Sequence, residues 1–386
     1  MGEEISLFKN FEEMNGESMK KTGIITHYDV HNHGAVLQLY ASRKILEKLG
    51  YDAKALKYKK NYDFMELGIE KKYSISIKSV PFYLKYLVKN GLKKTLFNIK
   101  KRKILHKFND KNSLVGEFYS KSKDLELLVI GSDEIFSIES GLNPCFFGMG
   151  INANKIISYA ASFGPTTLKD IINHNAANFI KAGLETIDTI LVRDENTRSI
   201  VEHLCNKPAR IVCDPVLLYD FKSKLDQEIN DFKKKNKRKY CLIYSYDYNM
   251  NDCETVNAIK KYAKDNGLRI YSVGYYHKWV DKNINVKPLD LFLWFSAADT
   301  VFTDTFHGTV ISISMNVNFF SKVTLNANKL GFLLKQYDLE NRRVASFREI
   351  LDDNKRDIDI DKENKVIADI RYNSLKELES AINNLD

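Results

Sequence analysis

The chain has no Cys-x-x-Cys pair and no Cys/His knuckle; its five cysteines, Cys145, Cys205, Cys213, Cys241 and Cys253, are widely scattered. That pattern argues against a zinc ribbon or a disulfide framework. It suits a reducing compartment, with thiols as small core residues. No run of about 18 apolar residues occurs, so no membrane-spanning helix is expected. The stretch MGEEISLFKNFEEMNGESMKK is acidic and polar without an apolar segment, so no secretory signal is expected and the chain reads as cytoplasmic. There is no G-x-x-x-x-G-K-[ST] loop, no convincing G-x-G-x-x-G and no G-x-S-x-G elbow around Ser162. Triphosphatase, dinucleotide and serine-nucleophile readings lose their support. No internal repeat and no recognised nucleic-acid-binding module is visible, so no nucleic-acid partner is expected.

What is present is a normal globular balance, 44% hydrophobic and 28% charged over 386 residues. That length predicts two domains rather than one core. A net charge of +9 points to an anionic partner. Short apolar strands alternate with helical periods. Gly23–Thr26 reads as a strand, HYDVHNHG as a loop, Ala35–Leu49 as a helix stopped by Gly50, and DAKALKY as a second strand. This is the βαβ unit of a parallel sheet. Further strands are LELLVIG, KIISYAAS, the stretch ending at Arg193, and RIVC before Asp214-Pro215. The charged run 221–239 reads as a connection. A second α/β series follows, and Leu375–Leu385 reads as an amphipathic helix with Leu375, Leu378, Ile382 and Leu385 on one face.

The expected fold is therefore α/β, with two Rossmann-like domains facing a cleft. Residues 1–220 form the first, with a flexible or capping leader over the first twenty and a basic helical insert at about 81–110. Residues 221–360 form the second, and 361–386 a C-terminal helix packing back on the first domain. In such sheets ligands bind beyond the carboxyl ends of strands. The candidate residues fall there: His27 to Gly34, Gly131 to Asp133, Ala161 to Gly164, Arg193, Asp214 and Thr303 to Gly308.

TDTFHG (303–308) sits between two apolar segments, with cap-forming residues ahead of His307 and Gly308 at a helix start. Unpaired N–H groups and the helix dipole favour an anion there. His307 either serves that anion as ligand or proton carrier, or packs its ring on a neighbouring loop. Asp133 either takes a proton from a sugar hydroxyl or caps the next segment. Asp214 reads as a turn-forming residue closing the first domain. His27, His31 and His33 share a loop with Asp29, but without Cys or paired carboxylates no metal site is expected. Asn32 and Gly34 read as turn makers that bring backbone N–H groups near an anion. In 81–110, nine basic residues (Lys85, Lys89, Lys93, Lys94, Lys100, Lys101, Arg102, Lys103, Lys107) accompany Phe82, Leu87, Leu92 and Phe97. They either face anionic lipid, giving peripheral association with the inner face of a membrane, or form a solvated face over a packed apolar one.

The ordered series NHGAVLQLYASRKILEKLGY, LLVIGSDEIF, KIISYAASFG, ILVRDENT, VCDPVLL and VFTDTFHGTVISI, spanning about residues 22–345, resembles the polysaccharide pyruvyl transferase family. The resemblance implies a GT-B-like fold and transfer of pyruvate from phosphoenolpyruvate to a sugar as a ketal. The acceptor would be a cell-surface glycan, an exopolysaccharide or cell-wall polymer, or its lipid-linked precursor. It implies a donor site of Arg193, His307 and Gly308, with Lys329 as the matching lysine and Lys322 as the alternative. His307 and Asp133 become the candidate catalytic pair. Asn32, His33, Gly34, Ser132 and Asp133 become candidate acceptor contacts. No cofactor is implied, since phosphoenolpyruvate is a co-substrate. The rival readings are a GT-B glycosyltransferase using a sugar nucleotide and a non-catalytic glycan-binding relative. The chain departs from the usual pattern at His33, Glu134, Phe136 and Thr305.

Overall fold

The computed structural model describes residues 18–59, 80–323, 327–351 and 359–383, with the side chains of 80–90, 327 and 328 excepted. Of the first twenty residues, expected to form a leader, 1–17 lie outside this range, and Lys20 already opens the first strand. The first sheet takes β1 (Lys20–Ile25), β2 (Tyr51–Lys57), β3 (Val115–Phe118), β4 (Leu127–Ile130), β5 (Ile156–Ala161), β6 (Thr189–Val192) and β7 (Ala209–Ile211). The second takes β8 (Tyr240–Tyr244), β9 (Arg269–Val273), β10 (Lys282–Ile284), β11 (Thr300–Thr303), β12 (Phe319–Lys322) and β13 (Arg343–Val344). Their orders are β3-β2-β1-β4-β5-β6-β7 and β10-β9-β8-β11-β12-β13. Every pairing is parallel. Each sheet reverses its winding once, at β1/β4 and at β8/β11, and those crevices are where doubly wound sheets bind ligands.

The helices are α1 (His33–Lys48), α2 (Val80–Lys111), α3 (Leu168–Asn173), α4 (Ala177–Glu185), α5 (Glu195–Cys205), α6 (Pro215–Leu218), α7 (Phe221–Lys224), α8 (Asp226–Lys235), α9 (Cys253–Asp265), α10 (Asp290–Ser296), α11 (Phe306–Met315), α12 (Ala327–Gln336) and α13 (Ile360–Asn383). Strands β4 (LLVI) and β8 (YCLIY) are buried at every position, as parallel strands covered on both faces must be. All ten residues of α11 are buried, so its apolar sequence FHGTVISISM needs no polar face.

The charged run 221–239 is not a bare connection. It folds into α7 and α8, and Phe221 and Ile229 enter the core of the second sheet. Phe221 stacks on Phe292 at 4.3 Å between ring centres. The surrounding lysines mask these two apolar anchors in the sequence. Helix α13 starts well before Leu375. Its residues Leu378, Ala381 and Ile382 pack with Tyr159 and Leu191 of the first sheet, while Ile367 joins the core of the second. Ser374 Oγ accepts from the Cys213 N–H at 2.9 Å, and Arg210 pairs with Glu377 at 2.8 Å. Leu385 lies outside the described residues.

Candidate active site at the seam of the two sheets

The loops that follow β1, β4, β6, β7 and β11 converge. Asn32 caps α1, its Oδ1 accepting from the Gly34 N–H at 2.8 Å. That turn brings Gly34 directly beneath His307. A Cβ built on Gly34 would lie 2.2 Å from His307 Cγ, so only glycine lets the imidazole rest on this backbone. Beside it, the Arg193 guanidinium carbon stands 4.1 Å from the centre of the Phe306 ring. The first half supplies Gly34 and Arg193, and the second supplies Phe306 and His307. Arg193 and His307 are 4% and 7% exposed, so the seam is shut over them.

The charges around this point are arranged in pairs. Asp214 Oδ2 accepts from Gln38 Nε2 at 2.6 Å and from Arg193 Nη1 at 3.3 Å. Its other oxygen caps α6 by accepting from Val216 N–H at 2.9 Å. Asp214 therefore forms the expected turn and also anchors Arg193. Asp133 Oδ1 stands 4.0 Å from Arg193 Nη1. Burial pushes the Arg193 pKa down, but Asp214 and Asp133 outweigh it and carry it above its ordinary value. Burial pushes Asp133 up; Arg193, with His27, His307 and Lys329, overcomes this and holds the carboxyl below the usual aspartate value. For His307 burial wins, lowering its pKa against the pull of Asp214 and Asp133.

Lys329 ion-pairs with Glu134 across the seam. Lys322 turns the other way and donates to Thr255 Oγ1 at 3.2 Å. The structure thus brings Lys329, not Lys322, to Arg193, Asp133 and His307. Among the buried polar atoms here without a hydrogen-bond partner are Ser132 Oγ, Arg193 Nε and His307 Nε2. Leaving such an atom unsatisfied costs about 1–3 kcal/mol, and a ligand that partnered it would recover that cost.

Other expected residues have different surroundings. The Gly308 N–H donates to Thr305 Oγ1 at 3.0 Å, so this N–H is capped rather than open to an anion. His33 is wholly buried, and Nε2 donates to the Val286 carbonyl at 3.1 Å. It ties α1 to the second half and in this arrangement offers no surface to an acceptor. Ser162 Oγ donates to Asp194 Oδ2 at 2.5 Å and accepts from Gly164 N–H at 2.8 Å, a structural role. His31 stands with Asp29 and His106, their ligand-type atoms within 4.8 Å of one another. Arg102 Nε lies 3.4 Å from His106 Nε2, and this cation opposes a metal ion there. Sequence reasoning missed Gln38, which touches the site only through its long-range contact with Asp214. It also missed Tyr246, whose ring stacks on the exposed Tyr248 at 5.5 Å. The negative charges of Asp133 and Glu134 help raise the Tyr246 pKa after burial, which puts this aromatic pair beside the seam. A tyrosine doublet two residues beyond a strand was the available signal.

The chain is similar in fold to UGT89C1 of Arabidopsis thaliana, solved with UDP-L-rhamnose, at 9% identity and a TM-score of 0.50, over 96% of this chain and 99% of that one. It is similar to the UDP-GlcNAc 2-epimerase of Neisseria meningitidis, bound to UDP-GlcNAc, at 9% identity and a TM-score of 0.50, over 95% and 99% of the two chains. At such identities the likeness establishes the fold alone: α/β, with two Rossmann-like domains facing a cleft as in GT-B glycosyltransferases. No curated protein is significantly similar to the chain. A family model described as polysaccharide pyruvyl transferase matches residues 32–323, from the Asn32 cap under His307 to the end of the strand carrying Lys322. The chain belongs to the polysaccharide pyruvyl transferase family.

Proposed function

We propose that the chain transfers pyruvate from phosphoenolpyruvate to two hydroxyls of one sugar, closing a ketal. The acceptor is a cell-surface glycan or its lipid-linked precursor, met in the cytoplasm where the donor is made. The supporting observation is the seam itself, where Arg193, Lys329 and His307 gather with unpartnered Ser132 Oγ, Arg193 Nε and His307 Nε2. Phosphoenolpyruvate carries a carboxylate and a phosphate on one small frame. Such a ligand matches a planar guanidinium fork beside an ammonium.

In this reading Arg193 and Lys329 hold the two anionic groups, exchanging their present carboxylate partners for the donor. His307 delivers a proton to the methylene carbon, which leaves the central carbon cation-like. One sugar hydroxyl adds there, phosphate departs, and a second hydroxyl closes the ring. Of the two hydroxyl protons released, one balances the new methyl group and the other leaves on phosphate. Asp133, held ionised by Arg193, receives a hydroxyl proton.

The test is release of inorganic phosphate from phosphoenolpyruvate with a panel of glycan acceptors. His307→Ala is expected to lower turnover by roughly 10²-fold or more. Burial lowers the His307 pKa and the protonated ring is the donor, so kcat/KM should rise as pH falls through an ionisation below the ordinary histidine value, and this dependence should vanish in the variant. Consumption of a sugar nucleotide instead would replace the reading with glycosyl transfer. Tight glycan binding without turnover of either donor would replace it with a binding role.

A further inference from the structure

We propose that the outward face of α2 docks on an anionic membrane surface. Beyond Gly91, where φ is 76° and the helix is interrupted, α2 has two distinct faces. The inner face lies on the second half. Lys94 pairs with Asp247 at 2.9 Å, and the Phe97 ring meets Tyr276 edge-on at 5.7 Å. Asn285 donates to the Phe97 carbonyl at 2.9 Å, and Lys101 Nζ sits 3.9 Å from the centre of the Tyr275 ring. Positions 94, 97, 98, 101 and 105 follow one helical stripe. This stripe fixes α2 across the two halves beside the site, because Tyr275 also donates to Asn32 Oδ1 at 3.4 Å.

The opposite stripe is open. Leu92, Leu96 and Ile99 are 62%, 56% and 49% exposed and stand at i, i+4 and i+7. No other element among the described residues presents three large apolar side chains to solvent. Lys93, Lys100, Lys103 and Lys107 flank them on one side and Arg102 on the other, and no acidic residue occurs from 91 to 109. Ile99, Arg102, Lys103, His106, Lys107 and Asp110 line a shallow, open recess. Leucines and isoleucine between lysines match a surface that is apolar below and negative above. A second copy of the chain would set lysines against lysines, so charge complementarity selects lipid.

Sedimentation of the full chain with vesicles tests this directly. Binding is expected to phosphatidylcholine vesicles containing about 30% phosphatidylglycerol at low salt, and to fade as salt screens the charge. Leu96→Ser with Ile99→Ser, and separately Lys100→Glu with Lys103→Glu, should each weaken partitioning by about tenfold or more. All four side chains are exposed, so unchanged thermal melting is expected to show that the variants fold. Absence of binding at low salt would overturn the proposal. Equal binding to pure phosphatidylcholine, or undiminished binding by either variant, would do the same. A dimer that either variant dissociates would assign the face to a second copy. Sedimentation requires no turnover, so its failure would leave the proposed chemistry standing, and failure of the chemistry would leave docking standing.

Discussion

At the scale of single residues, His33 makes the meeting of the two halves sensitive to acid. A carbonyl can only accept, so the bond to Val286 fixes the proton on Nε2 and leaves Nδ1 buried without a partner. Burial, assisted by the charge of Lys101, lowers its pKa from 6.5 to about 3. An unfolded His33 takes up a proton between those values and the folded one does not. Its stabilising contribution is therefore complete above 6.5 and is lost as pH falls toward about 3, at up to ~1.4 kcal/mol per pH unit. Melting temperatures between pH 7 and 4 should fall less steeply for His33→Gln, which keeps a donor but no titrating group. Identical slopes would remove His33 from the account. His33 also marks the limit of sequence reading. Its loop position was legible from the turn formers around it, but its burial depends on Val286, more than two hundred residues away. The same holds for Gln38 under Asp214. Arg193 and His307 were legible because each simply follows an apolar strand.

At the scale of elements, the first turn of α1 and the first turn of α11 fit each other through one missing side chain. Gly34→Ala would force its methyl into the His307 ring and move either the imidazole or α11. A displacement of about 1 Å in a reacting group costs on the order of 10²-fold in rate. Steady-state kinetics on Gly34→Ala should show that loss with helix content unchanged by circular dichroism. Activity within a few-fold of the parent would mean that this contact does not position His307. The elements were largely readable from periodicity, because parallel strands such as β4 and β8 are continuous apolar runs. Several helices were not, α7 and α8 among them. There the anchors Phe221 and Ile229 are too sparse among lysines to signal burial. The choice between Lys329 and Lys322 was equally closed to spacing arguments: Lys322 ends β12 and turns toward Thr255 in α9, while α12 carries Lys329 to Glu134.

At the scale of the whole molecule, the halves are held by contacts that a donor would have to rearrange. The Glu134–Lys329 ion pair joins them at the site, and under the proposed function Glu134 is the counter-charge that the anionic donor displaces. Glu134→Gln should lower KM for phosphoenolpyruvate by about threefold to tenfold, with a smaller effect on kcat, since a part-buried pair of this kind is worth roughly 1 kcal/mol. An unchanged or raised KM would show that Lys329 gains nothing from release. The burial of Arg193 and His307 carries a further consequence, concerned with order rather than strength. Under the proposed chemistry, the donor reaches side chains this enclosed only after the seam over them gives way. A bulky glycan seated first at the seam would obstruct a small anion on its way inward. Under the proposed chemistry, the seam therefore works as a turnstile: donor enters before acceptor, and the modified glycan leaves before phosphate does.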